Sequence, residues 1–226
     1  MPREGHLQQL PHLFAYLKSN HNARIVFDPS YPDIDSYQLP RHKWRSLYGE
    51  ELKDNIPYNA LEPLGMEFIL QTYVYANHAG VRIARRYRSV MLVFMNSAPI
   101  YWIPKKQMSA ETSSFGNEFV AMKICCEYLR DLRYNLRMMG ILVSNPVFIY
   151  GDNQSVLWHT MIPDSTLKRK RSSIPFHFFR EGVAQDRWRT VFIKTDANPS
   201  NIITKALPAG INRKLKVRAI MYNIYP

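Results

Sequence analysis

The stretch that decides the fold is Phe148-Ile149-Tyr150-Gly151-Asp152-Asn153-Gln154-Ser155, residues 148–155. Its first three residues continue an apolar run, Asp152 ends that run, and the polar residues behind it can begin a helix. A short, wholly apolar run is typical of a strand that is buried in a parallel sheet. Many α/β folds place a metal or substrate site at the C-terminal edge of such a sheet. The stretch therefore predicts an α/β fold with a candidate site at Asp152.

A second carboxylate, Glu118, lies upstream on the clearest predicted helix. Apolar residues recur there at steps of three and four positions from Phe115 to Met139, and Gly140 ends the pattern. Two carboxylates that reach one place suggest divalent-metal chemistry on phosphate. The residue pattern alone leaves alternatives open: Glu118 as a solvated residue of the helix edge, and Asp152 as the N-cap of the helix that follows it.

Three strand patterns precede this helix, and strand–helix units follow it. The predicted elements are strands at Phe68–Tyr75, Val90–Met95 and Ile100–Ile103, the helix, a strand at Val147–Tyr150, helices at Ser155–Met161 and Ser173–Ala184, a strand at Thr190–Lys194 and a last helix from about Asn198. This order predicts an α/β protein with a mixed five-stranded sheet, in which three antiparallel strands come first and helices flank the faces.

The composition predicts a packed protein with a polyanionic partner. The 226 residues are 46% hydrophobic, and 30 Lys and Arg against 18 Asp and Glu give a net charge of +12. This charge favours nucleic acid, with an anionic membrane surface as the weaker alternative. Spanning a bilayer takes about 18 or more consecutive apolar residues, a length that no run of this chain approaches. The N-terminus lacks the apolar core of a signal peptide, and Cys125 and Cys126 are adjacent and unsuited to an ordinary disulfide. We therefore expect an intracellular protein, in the cytoplasm or nucleus, with no membrane partner.

Five stretches give a more specific indication. They are YVYANHAG (73–80), YWIPKKQ (101–107), ETSSFGNEFVAM (111–122), IYGDNQS (149–155) and NPSNIITK (198–205). In this order they resemble the ribonuclease H domain at the C-terminal end of copia-type retrotransposon Pol polyproteins. The resemblance implies a ribonuclease H-like domain with a C-terminal tail over residues 66–226. Residues 1–65, with a helix near 6–18 and an irregular remainder, resemble the connection that follows a reverse transcriptase.

The family activity implied by the resemblance is metal-dependent hydrolysis of the RNA strand in RNA–DNA hybrids. In that family, four carboxylates hold two Mg²⁺ ions, or Mn²⁺ in their place. Glu118 and Asp152 match two of these ligands, whereas Tyr75 and Asn201 stand where the family has aspartates. Two residues after Tyr75, the family has a further aspartate that could substitute for the missing ligand, but this chain has Asn77 there. A phenol with a pKa of about 10 is a poor Mg²⁺ ligand, and an amide brings no charge.

We therefore expect a degenerate site in which Glu118 and Asp152 remain but the two-metal centre does not assemble. The implied partners are an RNA–DNA hybrid or another nucleic acid, and the rest of a Pol polyprotein. The alternative hypothesis is a non-enzymatic, basic nucleic-acid-binding module, and a third is a decayed reading frame. The candidate phosphate-contacting residues, which are also compatible with a solvated face or a nuclear-localisation signal, are Lys105, Lys106, Lys168, Arg169, Lys170 and Arg171.

Overall fold

The computed structural model describes residues 4–21, 24–34, 41–77, 88–107, 114–166, 173–204, 210 and 221–222. The elements predicted from the sequence are present in this part, with ends that differ by a few residues. In chain order they are α1 (Glu4–Ser19), β1 (Arg24–Ile25), α2 (Arg45–Tyr48), β2 (Leu70–Asn77), β3 (Arg88–Met95), β4 (Ala98–Lys106), α3 (Ser114–Met138), β5 (Val147–Gly151), α4 (Gln154–Met161), α5 (Ser173–Ala184), β6 (Trp188–Phe192), α6 (Asn201–Thr204) and β7 (Met221–Tyr222).

A five-stranded mixed sheet forms the centre of the fold, with the strand order β4-β3-β2-β5-β6. The first three strands form an antiparallel meander, whereas β5 lies parallel to both β2 and β6. The apolar run of β5 is buried between its two parallel neighbours, as the continuous hydrophobic pattern predicts. The predicted mixed five-stranded sheet, with three antiparallel strands first and with flanking helices, is confirmed.

Helix α3 packs its apolar stripe on one face of this sheet. Phe119, Met122 and Leu129 are buried in the main core, together with both cysteines, which are free thiols. Gly140, two residues after the helix, has a φ of +73°, which is the left-handed conformation that glycine adopts most readily. The N-terminal part of α3 lies against the end of β2, where Glu118 accepts a hydrogen bond from the N–H of Ala76, and this brings Glu118 to the edge of the sheet that carries Asp152.

The irregular segment before β2 is held against the sheet domain by buried charges. Asp54 accepts hydrogen bonds from Arg133 (3.0 Å) and Arg187 (2.9 Å) and pairs with Arg137 at 2.8 Å. Ten residues earlier, Trp44 is 7% exposed, and the Arg180 guanidinium lies 5.1 Å from its ring centre. The predicted boundary at residue 65 therefore separates two stretches of sequence that are in direct contact.

Helix α1 exposes most of its apolar side chains. Leu7 and Phe14 are 61% and 64% exposed, and Leu10, Leu13 and Leu17 are exposed as well. Pro11 lies inside this helix. Within the described ranges, no helix is both long enough and apolar enough to cross a lipid bilayer.

Candidate functional site

Three of the four predicted ligand positions line one open cleft of about 530 Å³. Tyr75 comes from the end of β2, Glu118 from the first turns of α3, and Asp152 follows β5 directly. Strands β2 and β5 are parallel and adjacent, so their carboxyl ends meet at the same edge of the sheet. Thr195, in the loop after β6, also lines the cleft, whereas Asn201 lies behind that loop and is not among the lining residues.

Glu118 is partly buried at the base of the cleft. Its Oε1 accepts a hydrogen bond from the main-chain N–H of Ala76, with an N–O distance of 3.1 Å. The pKa of Glu118 is raised to about 8, mainly by burial and also by the charge of Asp152, while the Ala76 hydrogen bond acts in the opposite direction. Without a bound cation, this carboxyl is therefore mostly protonated and neutral at pH 7.

Asp152 is held by a side chain from the neighbouring loop. The hydroxyl of Thr195 donates a hydrogen bond to Asp152 Oδ2 over 2.7 Å. The alternative role of Asp152 as a helix N-cap is wrong, because the N-cap of α4 is Asn153. Asn153 has an extended backbone, and its side-chain oxygen accepts a hydrogen bond from the N–H of Val156 at 3.2 Å, as a capping residue does.

Tyr75 brings no charge to the cleft at neutral pH. Burial raises the pKa of its phenol above the ordinary value of 10.0, and the charges of Asp152 and Glu118 raise it further. The phenol therefore stays protonated at any physiological pH. The residue lies beside both carboxylates, as predicted, but it cannot replace an ionised aspartate as a hard-metal ligand.

Asn201 is buried and directed at the loop that holds Asp152. Its Nδ2 donates a hydrogen bond to the main-chain carbonyl of Thr195 over 2.5 Å, and the residue is 2% exposed. Asn198, three residues earlier, donates from its Nδ2 to the carbonyl of Val74 in β2 at 3.0 Å and accepts from the hydroxyl of Ser200 at 2.6 Å. These contacts fasten the loop after β6 to the central strand, next to the cleft.

The donor set does not fit the two-ion centre that the resemblance implies. Among the described residues, no group of three or more His, Cys, Asp or Glu side chains could hold a metal ion together. In the cleft, Glu118 and Asp152 supply two carboxylates, and one oxygen of Asp152 also accepts a hydrogen bond from the Thr195 hydroxyl. Mg²⁺ can bind through one or two carboxylates and water, but a pair of ions clamped a few ångströms apart needs more charge.

Two of the six predicted phosphate-contacting residues lie together on an exposed strand end. Lys106 pairs across the ladder with Arg88, and Lys105 pairs with Ser89, so the end of β3 and β4 carries three adjacent cations. All three cationic residues are exposed. The predicted run Lys168–Arg171 lies outside the described residues.

Thr195 was not among the site residues predicted from the sequence. A partial signal was available, because Thr195 comes three residues after the end of β6, which is the next strand after β5 in chain order. Side chains just after neighbouring parallel strands meet at one edge. The sequence alone did not distinguish this one hydroxyl from the other polar residues of the loop.

Comparisons with known proteins find similar sequences among curated proteins and a partial likeness to solved structures. No protein-family model matches the chain. Retrovirus-related Pol polyproteins from the Arabidopsis thaliana transposons RE2 and RE1 are 28% identical over 116 residues and 24% identical over 207 residues, or 51% and 92% of this chain. The polyprotein from the Nicotiana tabacum transposon TNT 1-94 is 25% identical over 144 residues, or 64% of the chain. The chain spans 8 to 12% of the length of these relatives.

Among solved structures, LC11-RNase H1 isolated from compost by a metagenomic approach aligns with a TM-score of 0.45 and 11% identity, over 60% of this chain and 91% of its own. The same enzyme in complex with an RNA/DNA hybrid aligns with a TM-score of 0.43. The foamy viral protease-reverse transcriptase dRH in complex with double-stranded DNA covers 93% of this chain at a TM-score of 0.38 and 9% identity, with 29% of its own length aligned.

Proposed function

We propose that this chain, which is related in sequence to retrovirus-related Pol polyproteins of plant transposons, is a ribonuclease H-like module whose hydrolysis of RNA in RNA–DNA hybrids is impaired or lost. The observation that carries the proposal is the side-chain set at the cleft. Two carboxylates, Glu118 and Asp152, face a neutral phenol, and the amide of Asn201 is turned away to the Thr195 carbonyl.

The chemistry explains why this set is insufficient. Two-metal hydrolysis needs both ions held rigidly, one to activate a water and one to stabilise the leaving oxygen. Tyr75 supplies no negative charge, and the side-chain amide of Asn201 donates a hydrogen bond to the main-chain carbonyl of Thr195. Two carboxylates therefore remain to offset the ion charges, in a protein with a net charge of +12. The impairment follows from missing charge as well as from missing ligands.

A cleavage assay tests this proposal. The native chain is incubated with an end-labelled RNA–DNA hybrid in Mg²⁺ or in Mn²⁺, beside Tyr75→Asp and the Tyr75→Asp, Asn201→Asp double variant. We expect no cleavage by the native chain and measurable cleavage by the double variant. Cleavage by the native chain that disappears in Glu118→Gln or Asp152→Asn would overturn the proposal. The same two substitutions in the double variant serve as controls, since they should abolish its restored activity.

A second candidate function, binding of nucleic acid without cleavage, is favoured by the cationic strand end. Arg88, Lys105 and Lys106 are neighbours across β3 and β4 and are exposed to solvent. Cations in such a row bind backbone phosphates by releasing condensed counterions, which makes binding strongly dependent on salt. This function requires no metal and is compatible with the neutral Tyr75 in the cleft.

A binding assay over a series of salt concentrations tests this candidate. For Lys105→Gln, Lys106→Gln, we expect weaker binding to a short RNA–DNA hybrid and a slope of log affinity against log salt that is smaller by about 2. The matched control, Lys18→Gln, Lys53→Gln, removes the same charge from exposed positions elsewhere. Equal losses in the two double variants would show that net charge alone drives binding and would exclude this strand end as a specific contact.

A further inference from the structure

A second cleft, of about 790 Å³, lies where the segment before β2 crosses α5 and the start of β6. It is separate from the carboxylate cleft, which shares none of its lining residues. The segment is anchored on both sides of this cleft. The buried ring of Trp44 lies on one side, and Asp54, which contacts three arginines, lies on the other. Between these two anchors, the segment forms one wall of the cleft and the sheet domain forms the other.

Positive charge dominates the lining of this cleft. Arg41, Lys43 and Arg45 come from the segment, and Arg189 comes from β6. The lining carboxylates are Glu51 and Asp186, and Asp186 is already engaged by Arg41 at 2.9 Å and by Arg189 at 2.7 Å. Four cationic side chains against two carboxylates leave an excess that attracts an anion, and the concave walls strengthen that attraction.

Thr190, one of the residues that line this cleft, has a buried hydroxyl. Thr190 is 1% exposed, and its Oγ1 has no hydrogen-bond partner among the described residues. Buried polar atoms of folded proteins nearly always have a partner, so an orphaned hydroxyl beside a cavity calls for one. A ligand oxygen that accepts this hydrogen would satisfy it. The hydroxyl is an observation independent of the surface cations.

We propose that this cleft binds a phosphate-bearing ligand of nucleotide size. Guanidinium groups present a planar fork of donors that matches a phosphate, and Lys43 adds a point charge beside them. The volume lies in the range of small-molecule sites. The phosphate can belong to a free nucleotide or to a nucleic-acid strand, and the chemistry is the same for both. The proposal does not rest on the function proposed for the carboxylate cleft.

Calorimetric titration of the full chain tests the proposal with inorganic pyrophosphate and deoxyadenosine triphosphate as probes. We expect Lys43→Gln, Arg45→Gln to weaken both affinities about tenfold or more, because two of the four cations are lost. We expect Thr190→Val to weaken them about fivefold, since one hydrogen bond is lost. Thr190→Val should melt at the same temperature as the native chain or higher, which separates lost binding from lost folding.

The control variant and a competitor distinguish the remaining outcomes. Lys18→Gln, Lys53→Gln should leave both probe affinities unchanged, because those exposed lysines do not line this cleft. A 5′-phosphorylated single-stranded oligonucleotide that displaces pyrophosphate identifies a nucleic-acid strand as the source of the phosphate, and failure to displace it identifies the free nucleotide. The proposal is overturned if neither probe binds at about 1 mM, or if both cleft variants bind them as well as the native chain does.

Discussion

Asn201 Nδ2 donates a hydrogen bond to the main-chain carbonyl of Thr195, and Thr195 in turn donates its hydroxyl to Asp152. The position that the family resemblance assigns to a metal ligand is therefore occupied by a donor that holds a loop. An aspartate here would have no hydrogen to donate at neutral pH. The substitution of this ligand position is thus coupled to the loop that carries the partner of Asp152.

The first prediction is that Asn201→Asp destabilises the fold at pH 7 by about 1–3 kcal/mol. The variant loses the donated hydrogen bond and places a carboxylate against a carbonyl oxygen in a buried position, since Asn201 is 2% exposed. Urea denaturation at pH 7 measures the change. Asp196→Asn, at an exposed position of the same loop, is the control and should change the free energy of unfolding by less than about 0.5 kcal/mol. Equal stability of Asn201→Asp and the native chain would contradict the role of Asn201 as a donor.

More of the fold than of the cleft could be predicted from the sequence. The apolar run before Asp152 and the stripe of α3 predicted the sheet and its main helix because period and length separate buried strands from helices. The motif resemblance to transposon Pol polyproteins is confirmed by the sequence matches. The direction of the Asn201 amide was not predictable, because it depends on where the backbone of a distant loop passes.

The second prediction concerns Glu118 and pH. Its pKa is about 8 in the folded chain against an ordinary value of 4.5, so the folded state holds a proton that the unfolded state releases. The stability that this proton contributes is fully present below about pH 4.5 and is lost as pH rises to about 8. Glu118→Gln removes the ionisation. We expect it to raise the free energy of unfolding, relative to the native chain, more at pH 8.5 than at pH 5.

Urea denaturation of both chains at the two pH values measures this difference. Glu127→Gln, an exposed substitution on the same helix, is the control and should give the same small change at pH 5 and pH 8.5. A difference between Glu118→Gln and the native chain that does not vary with pH would show that Glu118 titrates normally.

The third prediction is that Asp54→Asn destabilises the fold by about 3 kcal/mol. Burial on its own would raise the pKa of Asp54, but the charges of Arg137 and Arg133 outweigh it and lower the pKa. Its stabilising contribution is therefore present above the ordinary pKa of 3.8 and is lost as pH falls through the lower folded value. Thermal melts at pH 7 and at pH 3 should differ less for the variant than for the native chain.

A matched surface substitution controls for the removal of an acidic charge. Asp131 pairs with Arg130 at 3.3 Å, but the two side chains are 68% and 49% exposed. Asp131→Asn should therefore change the free energy of unfolding by less than about 0.5 kcal/mol. If both substitutions cost the same, the segment before β2 is not anchored by its buried ion pairs.

This anchor could not be read from the sequence. Asp54 stands in a stretch rich in Pro, Asn and Tyr without a periodic pattern, and its three arginines come from α3 and from the turn before β6. Hydrophobic periodicity reports which face of an element is buried, but it carries no information about which charges meet. The attachment of this segment to the sheet domain depends on tertiary contacts alone.

The last prediction is that Gly182→Ala destabilises the fold by about 3 kcal/mol. A Cβ at this position would lie 2.0 Å from Trp188 Cζ2, and the indole is fully buried, with its N–H donated to the carbonyl of Phe179. To relieve this overlap, the buried ring would have to shift, and a shift would break its hydrogen bond to the Phe179 carbonyl. Gly5→Ala is the control, because nothing lies within 4 Å of its Cβ and alanine favours a helix. Urea denaturation should show Gly5→Ala as neutral or stabilising, and Trp188→Phe should recover part of the loss caused by Gly182→Ala. A harmless Gly182→Ala would show that α5 and β6 pack less closely than described.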